Sequence, residues 1–225
     1  MIITIDGSVG TGKSSLAKAL AQALGFIYLD TGAMYRAFTY GIIKRKINYK
    51  DASALAAFLK NFLFDIKVIQ GDKRYFFEGE DITDKIRDAD VTSLVSEISA
   101  IGSVREKLVA IQRHLAQGVN AVFEGRDMGT VVFPQAEVKI FLTGRPEVRA
   151  VRRYEEIKLK NPQEAQNLTL AKVLEDITRR DDSDSQRENS PLKQPENALV
   201  IDTSDLSIND IVFKILEYKE DLAIN

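Results

Sequence analysis

The chain has 225 residues, 44% hydrophobic and 28% charged, which suits one globular domain with a core of its own. A formal net charge of −2 excludes a nucleic-acid binder working through a broad basic face, so any phosphate recognition has to be local. The absence of cysteine excludes disulfides, thiolate metal sites and a cysteine nucleophile.

The opening MIITIDGS has no charged leader and turns polar by residue 6. Neither a signal peptide nor a membrane span is expected there, and a cytoplasmic protein is the default. Ile2-Ile3-Thr4-Ile5 reads as a short β-strand ended by Asp6-Gly7. From Lys13, the spacing of Leu16, Ala17, Leu20, Ala23 and Leu24 predicts a helix with one buried face and Gly25 as its C-cap. Phe26–Leu29 is a second strand, Asp30-Thr31 leads into a helix to about Arg45, and residues 47–60 form another short helix. Two strand-like runs, Asp65–Ile69 and Arg74–Phe77, meet at Gln70-Gly71-Asp72, a hairpin signal that interrupts the α/β rhythm. Val91 to Gln117 is helical with a break at Gly102. Asn120–Phe123 and Val138–Leu142 are buried strands. Helices follow at about 146–160 and 168–182, then strand Ala198–Ile201 and an amphipathic helix to about Tyr218. The alternation predicts an α/β doubly wound sheet of about five parallel strands in a single domain. Its core would be residues 1–60, 90–145 and 195–225, with an insertion at about 64–90 and a helical lid at about 149–190.

Gly7-Ser8-Val9-Gly10-Thr11-Gly12-Lys13-Ser14 fits the phosphate-loop pattern G-x-x-x-x-G-K-[ST], lying between a strand and a helix as its mechanism requires. Glycines let the backbone wrap a polyphosphate with its N–H groups inward, and the helix start adds positive potential. Lys13 suits the β- and γ-phosphates, and the Ser14 hydroxyl suits Mg²⁺. With Ser15 beside them, these residues are the expected ATP site. Phosphate loops serve switches and small-molecule kinases alike; a GTPase would also carry an N/T-K-x-D segment, and none is present.

In open α/β sheets, ligands bind beyond the carboxyl ends of the strands. Two such ends carry polar clusters, Asp30-Thr31-Gly32-Ala33-Met34-Tyr35-Arg36 and Glu124-Gly125-Arg126-Asp127-Met128-Gly129-Thr130. Arg36 and Arg126 suit bidentate phosphate recognition, and Thr31 and Asp127 could read a base or sugar. The alternatives are helix capping by Thr31 and a surface ion pair between Arg126 and Asp127.

DGSVGTGKSS, LDTGAMYR, EGEDIT, EGRDMGTVVFP, VKIFLTG and RRDDSDSQRENSPL occur in that order over nearly the whole chain. In these segments the sequence resembles the bacterial cytidylate kinases, a nucleoside monophosphate kinase family. The resemblance implies transfer of the γ-phosphoryl group of ATP, with Mg²⁺, to CMP or dCMP. By position, it implies that Thr31, Asp127 and Ser96 meet the base or sugar, and that Asp184 reads the sugar. Arg36, Arg105, Arg126 and Arg187 would surround the acceptor phosphate and ribose, joined by Arg180. The hairpin region resembles that family's acceptor-side insertion. Ser8 departs from the family's usual Pro, and Val148 from its more frequent Glu.

From Arg149 to Arg187, nine Lys or Arg alternate with eight Asp or Glu, so this is no polyanion tract. Arg149 and Arg153 lie one turn apart, and Arg179-Arg180 are expected to end a helix before a polar loop. Mobile arginines closing over the transferred phosphoryl group could stabilise it and exclude water. Arg153 and Arg180 are the candidates for this, Lys158 and Lys160 are expected at the surface, and His114 exposed and idle. The acceptor phosphate is already an anion, so positioning and charge neutralisation by Lys13, Mg²⁺ and arginines would suffice without a strong base. Rival readings are a kinase of another nucleotide or of a shikimate-like metabolite, and a nucleotide-dependent switch. No long apolar stripe asks for a partner, so a monomer is expected, without nucleic-acid or membrane partners.

Overall fold

The computed structural model describes all residues except 71, 161, 167 and 225; side chains at 160, 163, 164, 223 and 224 are likewise outside the description. In chain order the elements are β1 (Ile2–Gly7), α1 (Lys13–Leu24), β2 (Ile27–Asp30), α2 (Thr31–Lys44), α3 (Ala52–Asn61), β3 (Phe64–Ile69), β4 (Asp72–Phe77) and β5 (Glu80–Asp81). Then come α4 (Ala89–Ala100), α5 (Gly102–Leu115), β6 (Ala121–Gly125), β7 (Val138–Thr143), α6 (Pro146–Lys160), α7 (Pro162–Ala165), α8 (Leu170–Gln186), β8 (Leu199–Asp202) and α9 (Ile208–Ile224). The chain divides into two compact units, residues 1–29 with 116–225, and residues 30–115.

The first unit is built on a parallel sheet of order β2-β6-β1-β7-β8. β1 lies at its centre, with Ile3 beside Val122 of β6 and Val138 of β7. Flanked on both sides, β1 reads as a continuous apolar run because neither face meets water, and Ile3 and Ile5 are fully buried. Leu16, Ala17 and Leu20 of α1 and Ile211 and Ile215 of α9 complete this core. A smaller cluster of Ala150, Val173 and Ile177 joins α6 to α8, with Val9 packed against it.

The second unit has its own aromatic core, in which Phe38, Phe62 and Phe77 pack with Ile82, Ile98 and Leu108. Its three-stranded antiparallel sheet has the order β3-β4-β5. The expected hairpin is β3–β4, with Ile69 opposite Asp72 and Gln70 at a φ of 54°. Gly71 of that turn lies outside the described residues. This unit contains the stretch expected as an insertion at about 64–90 but reaches from Asp30 to Leu115, because α2, α3, α4 and α5 share its core.

Three boundaries differ from the sequence reading by four residues or more. The helix expected from residue 47 starts at Ala52, because the Asp51 side chain accepts the Ser53 and Ala54 N–H groups as an N-cap. The last helix runs on past Tyr218 to Ile224. Arg179-Arg180 do not end a helix: α8 continues to Gln186. Val173, Ile177 and Asp184 fall at i, i+4 and i+11, so the polar run extends a buried face instead of forming a loop.

Candidate active site

The phosphate loop connects β1 to α1, its close turns made possible by glycine. Gly10 has a φ of 76°, and a Cβ there would lie 2.8 Å from the Arg149 carbonyl oxygen. Ser8 supplies the loop's internal acceptor, its carbonyl taking the Thr11 hydroxyl at 2.9 Å and Lys13 Nζ at 2.7 Å. Lys13 is buried while Ser14 and Ser15 are exposed at the start of α1, behind Gly12 at the N-cap. The Val9 N–H donates to Asp181 Oδ1 at 3.2 Å, and the Val9 carbonyl accepts Arg149 at 2.9 Å. Arg149 also reaches Asp181 at 2.5 Å and donates to the Gly144 carbonyl, which ties α6 and α8 to the loop.

Because β1 and β6 run parallel with Asp6 beside Gly125, the segment after β6 emerges next to the phosphate loop. Glu124 accepts the Ser14 hydroxyl at 2.9 Å and the Tyr28 hydroxyl at 2.5 Å. Its carboxylate escaped the sequence reading because it counted only as the strand end before Arg126; an acid on the strand neighbouring a phosphate loop was the signal available. Arg126 bonds Asp184 of α8 at 2.8 Å, and Arg187 lies 3.7 Å from Asp127 and 3.9 Å from Asp184. Asp127 and Asp184 are both buried, so a surface ion pair between Arg126 and Asp127 is not formed; Arg126 turns to α8 instead.

The electrostatics follow from packing cations into little solvent. Burial, the Arg126 charge and that of Arg180 pull the Lys13 ammonium down to about 7, against Glu124 and Asp184. Burial and Arg126 likewise lower Arg180 to about 10, with Arg153 adding to the repulsion. Burial works against the Arg126 charge, but Asp184 and Glu124 outweigh it and raise its pKa. Asp184 is lowered despite burial, held ionised by Arg126, Arg180 and Arg187. Lys13, Arg126, Arg180, Asp127, Asp184 and Arg187 thus form one cluster in the first unit. Arg153 stands at its margin, paired with Glu156 at 2.7 Å. Lys158 is exposed and paired with Glu155, whereas the Lys160 side chain lies outside the described residues.

In the second unit, Asp30 caps α2 by accepting the Ala33 N–H at 2.9 Å, which leaves Thr31 as a buried first-turn residue and not the cap. Arg36 is buried, donating to the Ile86 carbonyl at 3.1 Å and to the Thr92 hydroxyl at 2.8 Å. The Arg105 guanidinium lies over the Tyr35 ring at 5.2 Å, and Arg105 donates to the Ser99 carbonyl at 3.0 Å. α5 thus sets Arg105 against Tyr35, the residue before Arg36 in α2, and Ser96 is half-buried on α4. His114 is exposed on α5.

Comparisons with known proteins bear on this arrangement. A family profile described as cytidylate kinase matches residues 3–221. Cytidylate kinase from Protochlamydia amoebophila (strain UWE25) is 63% identical over 98% of this chain and 96% of its own length. Cytidylate kinase from Halalkalibacterium halodurans is 44% identical, covering 97% and 96%. A crystal structure of shikimate kinase from Bacteroides thetaiotaomicron has a TM-score of 0.53 over 98% of each chain, at 16% identity, a likeness of fold alone.

Proposed function

We propose that this chain, which belongs to the cytidylate kinase family, transfers the γ-phosphoryl group of ATP to CMP or dCMP, releasing ADP and CDP or dCDP. One observation carries the proposal: buried Lys13, Asp127 and Asp184 clustered with half-buried Arg126, Arg180 and Arg187, set against the phosphate loop. The cations of such a cluster suit phosphates, and its carboxylates are of the type that accepts from sugar hydroxyls and base amines.

ATP would be held by Gly7, Ser8, Val9, Gly10, Thr11, Gly12, Lys13, Ser14 and Ser15, with the loop N–H groups and the α1 N-terminus on its phosphates. The Ser14 hydroxyl and Glu124 carboxylate are hard oxygen donors that fit Mg²⁺, which when bound would neutralise charge on the β- and γ-oxygens. Lys13 would release the Ser8 carbonyl and take up the γ-phosphate. Arg180 and Arg153 are the proposed catalytic cations, Arg180 already crowded by Arg126 and so poised to gain from a developing negative charge. For the acceptor, Arg126, Asp127, Arg180, Asp184 and Arg187 of the first unit and Thr31, Arg36, Ser96 and Arg105 of the second are proposed as contacts. α6 and α8 would act as the lid that excludes water. A monomer working in the cytoplasm, without nucleic-acid or membrane partners, completes the proposal. Among the described residues no helix is long and apolar enough to cross a membrane.

The test is a panel of CMP, dCMP, UMP, AMP and shikimate with ATP and ADP release as the readout. CMP and dCMP are expected to be the preferred acceptors. Equal rates with UMP and AMP would sink the assignment, and hydrolysis indifferent to every acceptor would favour a switch.

A further inference from the structure

The Asp6 carboxylate is fully buried at the end of β1 and has no part in the chemistry above. A π-type helical turn, Met128–Val132, follows immediately after Arg126 and Asp127. Within it the Val131 and Val132 N–H groups return to the Asp127 carbonyl at 2.9 and 3.1 Å, and the Phe133 N–H returns to Met128 at 2.7 Å. The N–H groups that open a helical turn have no partner inside it. Those of Met128 and Gly129 instead donate to Asp6, one to each carboxylate oxygen, both at 2.8 Å. A Cβ at Gly129 would lie 2.8 Å from Pro195 Cγ and 3.1 Å from the Thr4 hydroxyl, so the turn is seated closely against its surroundings.

We infer that Asp6 is a positioning residue for the acceptor: as an N-cap supplied from β1, it fixes the turn that carries Arg126 and Asp127. This rests on the reading of those two residues as acceptor contacts. Asp6 directly precedes Gly7, so one side chain sets the acceptor turn relative to the phosphate loop. An ionised carboxylate at the start of a helical turn satisfies two donors and meets the positive end of the turn. An amide in its place has one acceptor only and directs its NH₂ at a second N–H. The cap is also sensitive to pH. Burial pushes Asp6 up to about 6, with the two N–H bonds and Lys13 lowering it and Asp127 raising it. A proton added there converts one acceptor oxygen into a donor, and one of the two bonds is lost.

Calorimetric titration of CMP and, separately, ADP into wild type and Asp6→Asn at about pH 8 and about pH 5 tests this. The CMP phosphate titrates in the same range, so the variant-to-wild-type ratio at each pH isolates Asp6. We expect CMP to bind about tenfold more weakly to the variant at the higher pH, the scale of one lost charge-assisted hydrogen bond. The ratio should shrink toward one at the lower pH, where wild type is protonated too, and ADP should be affected less. A folded variant that binds CMP like wild type at both values, or loses CMP and ADP equally, overturns the inference while leaving the acceptor assignment standing. Wild type that does not bind CMP overturns that assignment itself, and this inference with it. Should Asp6→Asn fail to fold, amide exchange in wild type decides. Protection of the Met128 and Gly129 amides should fall relative to Val131 and Val132 as the pH drops through about 6, and unchanged relative protection overturns the inference.

Discussion

The exposed Ser14 hydroxyl donates to the buried Glu124 carboxylate at 2.9 Å, linking the first turn of α1 to the end of β6. Tyr28, from β2, donates to the other oxygen at 2.5 Å, so hydroxyls from two elements orient one acid. Such a carboxylate is held in place before any cation arrives, which lowers the cost of assembling an oxygen-ligand site.

Glu124→Gln keeps the side chain's size and its acceptor for one hydroxyl but removes the charge. Binding of Mn²⁺ to the enzyme–ADP complex, followed by electron paramagnetic resonance, should weaken about tenfold or more. CMP binding without metal should change little. An unaltered Mn²⁺ titration would remove Glu124 from the metal's surroundings.

Lys13 should report on the donor's phosphates through its proton. Its pKa is lowered to about 7 by burial and by Arg126, so in the free enzyme above that pH the amine is largely neutral. A bound polyphosphate favours the ammonium and restores the proton. ADP binding at about pH 8 should therefore take up a proton, seen as a binding enthalpy that varies with the ionisation enthalpy of the buffer. The uptake should fade below about 7 and vanish in Lys13→Ala. That variant should also lose turnover while binding CMP nearly as wild type; equal loss of CMP binding contradicts the separate roles.

The sheet was legible because each of its strands is a short apolar run and the glycine pattern falls between β1 and α1. The cationic cluster was legible only in part. Arg126 and Arg187 could be named from their motifs, but that Arg126 pairs with Asp184 and not with Asp127 depends on α8 running on to Gln186. A polar run reads as a loop because sequence periodicity registers apolar residues alone, and here the buried face is continued by Asp184. The extent of the second unit was hidden for a related reason. Phe38, Phe58, Phe62 and Phe77 form its ring cluster from three separate elements, α2, the C-terminal end of α3, and β4, and local pattern does not say which core an amphipathic helix serves.

In the second unit, Glu80 takes hydrogen bonds from Lys44 and Lys85, which lower its pKa from 4.5 to about 2. A carboxyl lowered in the folded state contributes stability above its unfolded pKa and loses it as the pH falls toward the folded value. Wild type should thus lose denaturant resistance relative to Glu80→Gln between about pH 4.5 and about pH 2. Both should behave alike at lower pH, and added salt should narrow the difference. Parallel curves through that window would show that these pairs add nothing.

The Arg126–Asp184 pair offers an asymmetric test of the cluster. If Arg126 is replaced by Met, Asp184 still has Arg187 at 3.9 Å and the Arg180 charge nearby, so the orphaned carboxylate is partly compensated. If Asp184 is replaced by Asn, Lys13, Arg126, Arg180 and Arg187 lose the acid that Arg126 bonds at 2.8 Å, and their mutual repulsion rises, tempered by Glu124 and Asp181 but no longer by Asp184. Breaking a buried pair on one side costs about 3–5 kcal/mol, so we expect Asp184→Asn near that range and Arg126→Met about 2 kcal/mol. Equilibrium denaturation gives both values. Inorganic phosphate should distinguish this account from a simple packing defect. An anion replaces the missing negative charge, so phosphate should raise the melting temperature of Asp184→Asn more than that of wild type, and that of Arg126→Met less. Equal phosphate shifts in all three proteins would mean that the arginines do not share one anion-binding locus.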